Sequence, residues 1–114
     1  MIRPALIAAL LALPVAAPAA EDKETSCAFQ GQVMAAVRQA RLDRVPQGDV
    51  LDTILAADPA WPAQYNNAIP QLTAHVYALK MRDVRQTDLG ALMQQQCLAN
   101  WDQIQQMQKQ LKSD

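Results

Sequence analysis

Few residues of this 114-residue chain are of types that do chemistry, and their spacing limits what they can do. Cys27 and Cys97 are the only thiols and His75 is the only imidazole. A c-type haem needs Cys-x-x-Cys-His, and a structural zinc needs three or four clustered ligands; neither spacing occurs. His75 with Met34, Met81, Met93 or Met107 would make an axial haem pair, but methionines at helical spacing fill cores. Ser26 and Ser113 lie near the ends of the chain, so a Ser-His-Asp triad would have to be assembled from termini. Asp49 and Asp52 would share a helix face as a carboxylate pair. Acids in a first helical turn, however, answer the free backbone N–H groups and the helix dipole. Three glycines exclude a Gly-rich phosphate cradle. The expectation is no cofactor, no metal and no enzymatic activity.

The chemistry left is that of the thiols, and the compartment decides it. Arg3 precedes an apolar run from Ala5 to Ala17, interrupted by Pro14, and Ala17-Pro18-Ala19 offers small residues where a signal peptidase reads. Residues 1–19 therefore read as a signal peptide cleaved before Ala20 or one residue later, with no lipobox before Cys27. The run is too short to anchor in a membrane, so no membrane insertion is expected after cleavage. In the periplasm or outside the cell, two cysteines form a disulfide. Pairing Cys27 with Cys97 would close a loop of 97 minus 27, or 70, residues, which removes about 4 kcal/mol of unfolded-state entropy.

The elements that position these residues read as helices throughout residues 20–114, a single domain. Thr25 or Ser26 caps a first helix running to about Arg44, with Phe29, Val33, Ala36, Val37 and Ala40 on one stripe. Pro46 and Gly48 break the chain, and Asp49 caps a short helix carrying Val50, Leu51, Ile54 and Leu55. Asn67 caps a third helix with Pro70 in its first turn, along which Ile69, Leu72, Val76 and Leu79 are core, adjoined by Tyr77, Met81 and Val84. Thr87 caps a last helix to about Lys112, with Leu89, Met93, Cys97, Trp101, Ile104, Met107 and Leu111 along one side. The expected architecture is all-α: a bundle of three to five helices, its first and last helices stapled by Cys27 and Cys97.

Ten Lys and Arg stand against eleven Asp and Glu, a balance without the basic footprint of a nucleic-acid binder. Three places remain for recognition. Arg38, Arg41 and Arg44 end the first helix, Lys80, Arg82 and Arg85 end the third, and the two ends would form a basic patch if they met. Trp61 and Tyr65 sit in turn chemistry, either as interface anchors or as a cap on a small core. The Gln-rich last helix outruns its neighbours, so Ile104, Met107 and Leu111 would invite a partner helix or a second copy of the chain.

This layout of a leader, helices throughout and one staple from the first helix to a late one resembles the periplasmic acid-stress chaperones of the HdeA type. It is similar, too, to small periplasmic immunity proteins. The resemblance covers layout alone and assigns no residues. It implies either a protein-binding module (an inhibitor, an immunity protein or an accessory subunit of an envelope complex) or a chaperone that binds unfolded clients at low pH. The sequence reading favours the first, with an envelope protein or a homodimer through the last helix as the partner.

Overall fold

The computed structural model describes residues 22–113, and the leader reading of residues 1–19 lies outside them. Five α-helices follow in order: α1 (Lys23–Leu42), α2 (Val50–Ala56), α3 (Ile69–Ala78), α4 (Met81–Gln86) and α5 (Leu89–Ser113). Short 3-10 turns, Gln47–Asp49 and Ala63–Ala68, lead into α2 and α3. No strand occurs among the described residues.

The central element is α1, because its apolar positions recur around more than one side. Val33 and Val37 are completely buried, and Met34 and Ala40 nearly so. All four other helices pack on α1. They bring Val50 and Ile54 from α2, Ile69 and Val76 from α3, Val84 from α4 and Leu89 from α5 into one core. Removing such a side chain from water contributes about 1.5–3 kcal/mol. The only buried polar side chains among the described residues are Ser26 and Thr73, and both are hydrogen-bonded: Thr73 donates to the Ile69 carbonyl at 2.7 Å, and Ser26 accepts from Tyr65.

The cysteines are joined, with Cα atoms 5.5 Å apart, and staple α1 to α5. Near this staple the two helices cross at their glycines. A Cβ built on Gly31 would lie 2.8 Å from the Gly90 carbonyl oxygen, and one on Gly90 would lie 2.8 Å from that of Gly31. Only glycine at both positions lets the backbones approach so closely. Cys27 faces Cys97 while Gly31 faces Gly90, so α5 runs antiparallel to α1.

Helix ends differ from the sequence expectation in several places. Asp22, not Thr25 or Ser26, caps α1, accepting from the Thr25 N–H at 2.8 Å; Ser26 is buried and its hydroxyl is engaged by Tyr65. The end of α1 is a Schellman motif: Val45 N–H donates to the Ala40 carbonyl and Arg44 N–H to that of Arg41, with Arg44 left-handed at φ 61°. Neither Asp49 nor Asn67 caps a helix with its side chain; each helix is entered from a 3-10 turn instead. The third helix divides at Leu79 and Lys80, whose extended backbone re-aims α4 so that Val84 is fully buried. Asp88, not Thr87, caps α5 by accepting from the Ala91 N–H at 3.0 Å.

Candidate functional site

The last helix is set by its cap at Asp88, the glycine crossing and the staple, and then it continues past the bundle. With Gly31 against Gly90 and Cys27 bonded to Cys97, Lys23 at the start of α1 falls opposite Trp101. Residues 102–113 of α5 extend beyond α1, about 18 Å of helix at 1.5 Å per residue. Ile104, Met107 and Leu111 fall on the same helical face as Met93 and Cys97, within an arc of roughly 80°. Where α1 lies on that face Cys97 is 7% exposed; beyond it exposure rises to 42% at Ile104, 57% at Met107 and 78% at Leu111. An unpartnered apolar stripe of this kind is what a protein-binding face presents.

Trp61 and Tyr65 are half-buried, and both are bonded to their own chain. The Trp61 indole N–H donates to Asn66 Oδ1 at 2.7 Å. The Tyr65 hydroxyl donates to Ser26 Oγ at 3.1 Å, and its ring packs on Phe29 with centroids 5.4 Å apart. Trp61 also borders an apolar groove of about 340 Å³ between α1 and α2, lined by Ala36, Ala40, Val45 and Ile54 with Asp43 at its rim.

The basic residues of α1 and α4 do adjoin. Arg38 Nε donates to the Val84 carbonyl at 2.8 Å and its Nη2 to that of Arg85 at 3.1 Å, so a guanidinium from α1 closes the end of α4. Arg41 lies over the Tyr77 ring, 5.0 Å from its centroid, and the Tyr77 hydroxyl donates to the Val45 carbonyl just after α1. Burial pushes the Tyr77 phenol above its usual range, partly offset by the Arg41 charge. Arg38 thus ties the end of α4 to α1 and Arg41 is taken up by the Tyr77 ring, leaving Arg44, Lys80, Arg82 and Arg85 as the exposed cations nearby.

His75 stands at the edge of a second groove, about 430 Å³, between α3 and α5, with Met34, Leu72, Leu89 and Met93 along it. Leu92, 41% exposed, also borders this groove, a feature sequence reading did not single out. Its signal was available: Leu92 lies off the main apolar stripe of α5, beside Leu89. Among the described residues no three His, Cys, Asp or Glu side chains cluster as metal ligands would. No helix among them is long and apolar enough to cross a membrane. No known family, curated protein or solved structure matches this chain.

Proposed function

We propose that this chain is an exported, non-enzymatic protein-binding module that works as a preformed rigid surface: an inhibitor, an immunity-type protein or an accessory subunit of an envelope complex. The observation that carries the reading is the apolar stripe Ile104–Met107–Leu111 on the one helix that outruns the bundle. The fold behind it is stiff, since α5 is locked to α1 by a covalent bond and by a backbone-to-backbone crossing.

An acid-triggered chaperone needs carboxylates whose protonation loosens the fold. Here the carboxylates act at helix ends, Asp22 capping α1 and Asp88 capping α5, and not in the core. No Asp or Glu among the described residues is buried, and the one ion pair among them joins neighbouring Arg82 and Asp83 at 3.5 Å, both well exposed. Such a pair contributes about 0–1 kcal/mol. The binding-module reading is tested by capture from envelope extract at neutral pH with the oxidised wild type, Met107→Glu and Trp61→Ala as baits. One stoichiometric partner, lost with Met107→Glu and kept with Trp61→Ala, is the expected result. Equal capture by all three baits, or none by any, removes the distal helix as the binding face.

A further inference from the structure

We infer that the distal segment of α5 docks antiparallel against the same segment of a second copy of this chain, with Met107 beside the two-fold axis. The inference rests on the binding-module reading and deepens it by naming the chain itself as a partner for that face.

The apolar stripe is self-complementary. Ile104 and Leu111 lie three and four residues to either side of Met107. A two-fold axis through the helix near Met107 therefore sets each Ile104 on the other copy's Leu111 and brings the two Met107 side chains together, the isologous arrangement of a closed dimer. The charges allow it. Between Leu98 and Leu111 the only ionisable residues are Asp102 and Lys109. Both fall on the side of the helix opposite the stripe, so pairing along Ile104, Met107 and Leu111 buries neither of them.

The length fits as well. In that register Ser113 of the second copy comes opposite Asp102, which is where α1 of the first copy begins to cover α5. The incoming helix thus continues the line of α1 along the face that α1 leaves open. Its C-terminal end meets the N-terminal end of α1, and helix dipoles attract in that arrangement. The contact is small: about 18 Å of helix from each copy falls short of the roughly 1,200–2,000 Å² buried in stable complexes, so the dimer is weak and depends on concentration.

Sedimentation of the oxidised protein from about 1 μM to about 1 mM tests this, a range that brackets weak association. The mean mass should rise with concentration from one copy towards two. Met107→Glu, which sets two carboxylates side by side at the axis, should weaken association by tenfold or more with far-UV circular dichroism unchanged. Met107→Leu should associate at least as well as the wild type. In a mixture of Ile104→Cys and Leu111→Cys proteins, the cross-linked species should be the mixed one. A wild type that stays monomeric to about 1 mM, or Met107→Glu that dimerises like the wild type, overturns the proposal. If the protein is monomeric yet captures a different protein through Met107, the dimer fails and the binding module stands. If it neither self-associates nor captures, both fail.

Discussion

Replacing Gly31 with alanine separates two opposing effects whose sizes follow from the structure. Within a helix, alanine is favoured over glycine by about 1 kcal/mol, so propensity alone makes Gly31→Ala stabilising. The new Cβ would stand 2.8 Å from the Gly90 carbonyl oxygen and 3.2 Å from Gln94 Cβ. The first obstacle is backbone, and the Cys27–Cys97 bond one turn away resists the retreat of α5 from α1. Overpacking costs about 1–3 kcal/mol, and an obstacle that cannot rotate aside puts this site at the upper end. The net expectation is a loss of about 1–2 kcal/mol, a fall in melting temperature of roughly 5–10 °C for a domain of this size. Gly48→Ala is the control, since nothing lies within 4 Å of its Cβ position and its φ is not positive. It should gain about 0.4–1 kcal/mol by restricting the unfolded chain. Thermal unfolding followed by far-UV circular dichroism under non-reducing conditions reads both. A Gly31→Ala protein that melts at or above the wild type would refute the close crossing and the fixed path of α5 that depends on it.

Four further outcomes are expected. Replacing both cysteines, Cys27→Ser with Cys97→Ser, should cost about 4 kcal/mol in denaturant unfolding, the loop entropy of a 70-residue closure. Arg44→Gly should stabilise by about 1 kcal/mol by relieving a non-glycine residue at φ 61° in the α1 Schellman motif, as read by the urea midpoint. Arg38→Met keeps the aliphatic stem but removes two charge-assisted bonds to the end of α4, and should cost about 1–2 kcal/mol, with faster amide exchange in Met81–Gln86. The pH dependence follows from two groups. The Thr25 hydroxyl and then its backbone N–H hold the Asp22 carboxyl below the ordinary carboxylate range, so the α1 cap contributes fully above that range and is lost as pH falls through the lowered value. The Tyr77 phenol, raised by burial, contributes fully below the ordinary phenol range and loses that contribution as pH rises through the raised value. Urea midpoints across pH should fall at both ends, with Asp22→Ala flattening the acid limb and Tyr77→Phe the alkaline limb.

The apolar spacing along α1, α3 and α5 was enough to place the helices, and two cysteines in one chain left a single internal pairing. Local signals competed where the sequence misled. Ser26 and Thr25 are good caps by type, yet Ser26 is buried and its hydroxyl answers Tyr65, a partner 39 residues away that no local rule reveals. The division of α3 from α4 has no proline or glycine to mark it; it is set by where Leu79 and Val84 find the core. The glycine crossing leaves a faint trace, Gly31 four residues from Cys27 and Gly90 seven from Cys97, which places each pair on one helix face. The adjoining of the two basic ends is a tertiary fact, carried by Arg38 reaching Val84 and Arg85. The exposed stripe on distal α5 was legible because α5 outruns every other helix in length as well as in pattern.

On the proposed reading the surface is preformed and stapled, in working shape at neutral pH and not released by acid. Near-UV circular dichroism and dye binding of the oxidised protein, followed from pH 7 to about pH 2.5, below the ordinary carboxylate range, tests that most directly. The tertiary signal from Trp61 and Tyr65 should be retained, with little dye binding beyond that of the α5 stripe. Collapse of the near-UV signal with helicity retained, a large rise in dye binding and protection of unfolded clients at low pH would contradict it.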